Sequence, residues 1–350
     1  MLADVDRELI DSVRAAGAIT VNTACRDTVR SDTYANIEIY DPGDPAELAV
    51  LTQIAAEAKA ICTALPSTAF FKQVSPWLSA AFRSKPDHLR YVFTAENSTT
   101  AAHELQALVG TFPHTHYLDT VIGKMSKVFT VDESDLPPLA PGLGRGHLVE
   151  EFNAIYTGDA PGISDIGIIG LHPKTDLGPF EQAKLYGHNT AHFYLAFLAA
   201  ERGCRYMDDA NAHPDLLDQT RQVLIEECGA ALCRKHAGVD SFFEPARFAE
   251  FASELVARMT SPVLNDSIER VIRDPHRKLG WNDRMVGAIR ICQEQAVRPE
   301  RLLSATAAMA NKTFGSEPGA IADGLSRLWA GEREEHVSLL VDELLRQERP

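Results

Sequence analysis

Cysteine is scarce. There are six in 350 residues (Cys25, Cys62, Cys204, Cys228, Cys233 and Cys292), and no two stand at C-x-x-C spacing. That scatter argues against a disulfide frame, and the thiols are expected to be reduced and buried. The opening MLADVDRELID has no apolar h-region, so it does not read as a secretory signal. The longest apolar run falls far short of a membrane span. The expected compartment is the cytoplasm, with no membrane as a partner. Basic charge is also in short supply: 34 Lys and Arg stand against 49 Asp and Glu, a net charge of −15. No local basic cluster offsets it, so nucleic acid is not an expected partner, because a phosphate backbone rewards a basic face. Low-complexity tracts are absent, and 45% hydrophobic with 24% charged residues is a globular composition. A chain of this length predicts two domains rather than one.

What is present begins with alternating strand and helix patterns. ELIDSVRAAG (8–17) carries Leu9, Ile10, Val13 and Ala16 on one face and ends at a glycine, a common helix stop. AITVNTA (18–24) reads as a short strand and PAELAVLTQIAAEA (45–58) as a helix opened by proline. KAICTAL (59–65) is a continuous apolar strand of the kind covered on both faces. STAFFKQVSPWLSAAF (67–82) is helical with a possible kink at Pro76, RYVFTAEN (90–97) is a buried strand, and a helix follows from Ser98. This spacing predicts βαβ units in a doubly wound parallel sheet, an α/β Rossmann-type domain over 1–145. A mostly helical second domain over 146–350 is expected, with helices at 178–202, 214–237, 243–259, 282–295, 298–312 and 317–347.

Ligands of such sheets bind at the carboxyl ends of the strands, which here are ADVD (3–6), TALPS (63–67) and TAEN (94–97). Asp4 fits the acidic residue that accepts the ribose hydroxyls of NAD, although an N-cap role explains it equally simply. Thr63 and Ala64 are the further candidates for contact with the cofactor. No strand–GxGxxG–helix unit precedes Asp4, so the first strand and helix of the half-domain are expected upstream of Met1. PGLGRGH (141–147) follows no strand and precedes no amphipathic helix, and it is expected to be an interdomain loop.

KLYGHNTAH (184–192) places a lysine, two histidines and an asparagine in nine positions ahead of the apolar run FYLAFLAA. At about 100° per residue, Lys184, His188, Asn189 and His192 share one side of a helix. One reading is metal, since His188 and His192 are i, i+4 and HTH (114–116) offers another ligand. There is no HExxH glutamate, however, and Lys184 on the same stripe repels a cation. A second reading is a solvated polar face. The third is catalysis: oxidising an alcohol needs a base for the hydroxyl proton and donors for the oxygen, and a buried lysine with depressed pKa suits the first task.

K-x4-N-x2-H, formed by Lys184, Asn189 and His192, resembles the catalytic motif of the polyol-specific long-chain dehydrogenases. That family includes mannitol-1-phosphate 5-dehydrogenases, mannitol 2-dehydrogenases and hexuronate reductases. The resemblance extends to ADVDRELIDSV, AICTALPSTAFFKQVSPWL, the EN of TAEN and SPVLNDSIERVIRDPHRKLGWNDRMV (261–286), and so covers nearly the whole chain. It implies a metal-independent, NAD-linked dehydrogenase of sugar alcohols or their phosphates, of the mannitol 1-phosphate to fructose 6-phosphate type, with no metal ligands. Lys184 would be the general base, Asn189 and Asn97 would polarise the reacting oxygen, and His192 would contact substrate hydroxyls. His188 stands outside that set.

Arg270, Arg277 and Lys278 cluster near DPHRKL; if the substrate carries a phosphate, a guanidinium here would bind it bidentately, or else the cluster forms an ion-pair network around Asp274 and Asp283. Where the family has an acidic residue near 119–124, DTVIGKM places Gly123, so a different substrate is expected. Two further readings stay open: a hexuronate reductase, and a non-catalytic remnant that binds a sugar phosphate or a protein partner. The sequence leaves a monomer and a dimer equally open.

Overall fold

A computed structural model describes residues 1–25 and 28–347. Two compact units result, Met1–Gly178 and Pro179–Pro350. No helix among the described residues is long and apolar enough to cross a membrane.

The strands of the first unit are β1 (Leu2–Ala3), β2 (Ala18–Cys25), β3 (Thr28–Ala35), β4 (Ile39–Tyr40), β5 (Ala60–Thr63) and β6 (Arg90–Thr94). They continue with β7 (Thr115–Ile122), β8 (Ser126–Thr130), β9 (Arg145–Glu150), β10 (Ile155–Gly158) and β11 (Leu171–Lys174). The expected parallel sheet is built on β5, β6 and β7, in a five-stranded order β11-β10-β7-β6-β5. β5, β6 and β7 run parallel, and β10 closes antiparallel on β7. β6 is buried along its full length, as its apolar run requires at the centre of a sheet. Val92 faces Phe71, Leu78, Phe82 and Leu105 from the helices Phe71–Ser84 and Ala101–Val109, while Tyr91 and Phe93 pack with Leu118 and Ile163. β5 is the edge strand and half exposed, so the expectation of a strand covered on both faces does not hold there. Its residues 59–65 were apolar enough for the centre, but no further strand pairs with it among the described residues.

Two features depart from a single doubly wound sheet. β2 belongs to a separate sheet of order β3-β2-β9-β8, antiparallel to β3 and parallel to β9. The chain beyond residue 145 also returns to the first unit: β9, β10 and β11 all pair with its strands, which moves the boundary from 145 to Gly178. PGLGRGH is therefore no interdomain loop. Gly142 turns the chain at φ 85°, and Gly146 lies in β9, where a Cβ would sit 2.8 Å from Phe129 Cε2 and 2.9 Å from Pro137 O. These glycines serve a turn and a close packing.

The second unit is helical, as its apolar periodicity predicts. The expected helix 317–347 is two helices, Pro318–Leu328 and Glu334–Gln347, broken by Gly331 at φ 101°. The helices expected at 178–202 and 214–237 each contain a π-helical segment, at Ala183–Asn189 and Val223–Gly229.

Candidate active site

Lys184 sits in the first turn of the π segment Ala183–Asn189, and Asn189 closes it; His192 follows in the helix Thr190–Glu201. A π turn leaves backbone carbonyls poorly matched to the next α-helical turn. Thr190, fully buried, answers this: its hydroxyl lies 3.1 Å from Leu185 O and 2.8 Å from Arg284 O, so its one proton is shared between them. That contact ties the segment to the helix Arg284–Glu294. Tyr186 adds a second tie through its hydroxyl, which donates to Asn282 O at 3.3 Å. Gly287 in that helix admits the Tyr186 ring, for a Cβ there would lie 2.9 Å from Tyr186 Cζ and 3.1 Å from its Oη. Behind the segment, Gly187 faces Phe248, and Phe248 in turn lies against Gly229 of the other π segment.

Lys184 is partly buried, and burial, joined by the positive charge of Arg284, lowers its ammonium pKa, while Glu181 pulls the other way. His188 is buried, and its pKa lies well below the ordinary 6.5, through burial first and then the neighbouring His192, Arg258, Lys184 and Arg284. The stripe is therefore no solvated face at His188, which is held as a neutral imidazole. Its ring meets that of His192 edge-on at 6.3 Å. His192 Nε2 lies 3.3 Å from Asp266 Oδ2, within ion-pair distance but not aligned as a hydrogen bond, so that this buried nitrogen has no hydrogen-bond partner among the described residues.

Asp266 was not evident from the sequence, because nothing in SPVLNDSIERV marks it apart from its neighbours. Burial pushes its carboxyl up, but the close approach of His192 and the hydrogen bonds from Arg270 outweigh this and bring it down to about 2. Arg270 grips it in a fork, Nε to Oδ1 at 2.7 Å and Nη2 to Oδ2. Arg277 is shared between Asp274 at 3.2 Å and Asp283 at 3.3 Å, the ion-pair arrangement weighed above for this cluster. Lys278 is buried, donates to Val271 O and Arg273 O and lies 5.0 Å over the Phe193 ring. Burial, then Arg284 and Arg277, bring its pKa down to about 8.

In the first unit β5 and β6 end in register at Thr63 and Thr94, and Thr94 pairs with Asp119 of β7, which runs on to Ile122. Thr63 is buried and donates to Glu96 Oε2 at 2.9 Å, while Leu65 N donates to Glu96 Oε1 at 2.8 Å. Glu96, buried and passed over by the sequence reading, thus clamps the ends of β5 and β6, and leaves Ala64 and Asn97 exposed beside it. Asp119 carries an acid close to where Gly123 lacks one, but Oδ1 is spent on Ala102 N at 2.8 Å and Thr94 Oγ1 at 3.1 Å. Asp4 follows β1, its Oδ1 accepting Val5 N and Asp6 N. The N-cap of the helix Arg7–Ala16 is Asp6, not Asp4, since Asp6 accepts Leu9 N. Among the described residues no group of three His, Cys, Asp or Glu is placed to hold a metal ion.

Residues 176–337 match the family model for the mannitol dehydrogenase C-terminal domain. The chain is 27% identical over 348 residues to a mannitol-1-phosphate 5-dehydrogenase of Arthrobacter sp. (strain FB24), covering 97% of this chain and 86% of that protein. It is 26% identical over 314 residues to the enzyme of the same name from Brevibacillus brevis, covering 83% and 78%. Among solved structures, Pseudomonas fluorescens mannitol 2-dehydrogenase, in a ternary complex with NAD and D-mannitol, aligns at a TM-score of 0.63 and 15% identity over 97% of this chain and 86% of that one. A substrate-free D-sorbitol dehydrogenase aligns at 0.71 and 13%, covering 98% and 84%. The fold is shared with these structures, a Rossmann-like unit followed by a helical one. The helical unit carries a match to the mannitol dehydrogenase C-terminal domain, and along its length the chain is similar to proteins named as polyol dehydrogenases.

Proposed function

We propose that the protein oxidises a sugar alcohol or its phosphate with NAD, in the manner of mannitol 1-phosphate to fructose 6-phosphate, with Lys184 as general base. The observation that carries this reading is the half-buried Lys184, its ammonium pKa lowered by burial and Arg284, on a π segment braced by Thr190 and Tyr186. Relatives named for mannitol 1-phosphate oxidation support the substrate class.

The first unit suits a dinucleotide. Its parallel strands β5 and β6 end in register, dinucleotides bind at such carboxyl ends, and Ala64 is small and exposed beside the buried Thr63. Asp4, just beyond β1, is the proposed partner of the ribose hydroxyls. When bound, NAD supplies the hydride acceptor. The chain's own task is then to take the hydroxyl proton at Lys184 Nζ while Asn189 and Asn97 donate to the oxygen and His192 holds a neighbouring hydroxyl. Arg270, Arg277 and Lys278 are the proposed contacts of the remaining polyol chain or its phosphate. A phosphate at Arg277 has to compete with Asp274 and Asp283.

The test is NADH formation, followed by absorbance, with mannitol 1-phosphate, mannitol and arabinitol. Wild type is expected to use at least one of them, and Lys184→Ala to lose about 10²–10⁴-fold in kcat. Near wild-type turnover in Lys184→Ala would remove the lysine from its role.

A further inference from the structure

His192 and Arg270 stand on different helices, Thr190–Glu201 and Ile268–Ile272, yet both reach the same oxygen, Oδ2 of Asp266. The backbone that presents this carboxylate is held on both sides. Met207 N donates to Asp266 O at 2.9 Å, Ile268 N donates to Arg205 O at 3.0 Å, and Tyr206 and Ser267 pair as an antiparallel bridge. Asn265, immediately before it, turns the chain at φ 45°, in the left-handed region that asparagine enters more readily than other residues with a Cβ.

We propose that Asp266 is the positioning residue of the polyol site, accepting the Nε2 proton of His192 and the fork of Arg270 so that both present one fixed face to substrate. The inference rests on the dehydrogenase reading above. With Nε2 as the protonated nitrogen, Nδ1 is left as an acceptor, and an acceptor is what a substrate hydroxyl, as donor, requires. The aspartate thereby selects the tautomer of His192 as well as its orientation. It also sets the geometry of Arg270, whose planar guanidinium is aligned by a bidentate carboxylate. His188 cannot substitute for this role, being buried and neutral behind His192. Asp266 touches no reacting atom in this scheme and acts only through its two partners.

The variants are Asp266→Asn, Asp266→Glu, His192→Ala and the double variant His192→Ala/Asp266→Asn, all in the full chain. An asparagine amide can donate to Nε2 and so reverse the tautomer, whereas glutamate keeps the acceptor. In wild type, nitrogen-15 NMR of labelled histidine is expected to show His192 as the Nε2–H tautomer, shifting toward Nδ1–H in Asp266→Asn. Kinetically, Asp266→Asn is expected to raise KM for the polyol by about 10- to 100-fold, the factor for a lost hydrogen bond to a charged group. kcat should fall much less, and Asp266→Glu should restore most of the loss. In the His192→Ala background the same substitution should retain only the part that passes through Arg270. An Nδ1–H tautomer in wild type, or an undiminished effect of Asp266→Asn without His192, would overturn the proposal. If wild type oxidises no polyol at all, the dehydrogenase reading falls, while the tautomer measurement still decides the role of Asp266. Should Asp266→Asn fail to fold, the wild-type tautomer and Asp266→Glu decide it.

Discussion

Gly287→Ala tests the packing that holds the lysine helix. In the interior of the helix Arg284–Glu294, replacing glycine by alanine ordinarily gains about 1 kcal/mol, since alanine loses less backbone entropy on folding. Here the added methyl would lie 2.9 Å from Tyr186 Cζ and closer still to Cε1. Overpacking of this kind costs about 1–3 kcal/mol. If the ring swings away, it also gives up its hydroxyl bond to Asn282 O, worth about 1 kcal/mol. The net expectation is a loss of roughly 1–3 kcal/mol, read as a lower urea midpoint at unchanged slope. Because Tyr186 lies two residues from Lys184, turnover should fall as well. The decisive measurement is the same substitution made in Tyr186→Ala. With the ring gone the clash is gone, and Gly287→Ala should now stabilise by up to about 1 kcal/mol. A stabilising effect in the wild-type background would refute the close packing of the two helices. An equal loss in both backgrounds would refute Tyr186 as its cause.

Thr190→Val removes a buried hydroxyl that serves two carbonyls, and a loss of about 1–3 kcal/mol in denaturant melts is expected, against about 1 kcal/mol for the buried methyl lost in Thr190→Ser. The rate of polyol oxidation should rise with pH and level off below the ordinary lysine range, because the lowered pKa of Lys184 populates its free amine earlier; a pH–rate profile that climbs to the ordinary lysine value of 10.5 would contradict this. Asp266 has its carboxyl depressed from 3.8 to about 2, so its contribution is fully present above pH ~4 and is lost as pH falls toward 2. That is worth about 2 kcal/mol, which acid melts of wild type against Asp266→Asn should register as a flatter pH dependence in the variant. Arg277→Ala should shift preference from phosphorylated toward free polyol if Arg277 meets a phosphate, and unchanged preference would leave it with its ion pairs alone.

The helices and the central parallel strands were legible because their apolar residues recur at clear periods. Ile10 and Val13 are both fully buried, and RYVFT is buried throughout, as the pattern requires. β3 escaped notice for the opposite reason. TVRSDTYA is mostly exposed, so its strand rests on backbone pairing with β2 and carries almost no hydrophobic signal. The boundary at Gly178 was hidden similarly, since the short strand β10 pairs with β7, far back in the chain, and β11 is held to the sheet only through β10. At the site, the i,i+3 pair of Asp274 and Arg277 could be read from spacing, whereas Asp266 becomes legible only when the fold brings its loop to His192.

The π segment is what the linear reading had no means to foresee, and it alters the geometry of the motif. Counted at about 100° per residue, Asn189 lies roughly 140° around from Lys184, at the far edge of the side they share on an α-helix. In a π turn the backbone bond closes on the fifth residue, so residues five apart come close to stacking one turn above another. Lys184 and Asn189 are five apart and mark nearly the two ends of the segment. By that geometry the widened turn brings position 189 round toward position 184 relative to an α-helix, the arrangement that the proposed base and oxygen donor would require. His188, four residues from Lys184, is buried, its ring edge-on to that of His192. K-x4-N is then a spacing suited to a π turn, with Thr190 next in line to supply the hydroxyl that stabilises it.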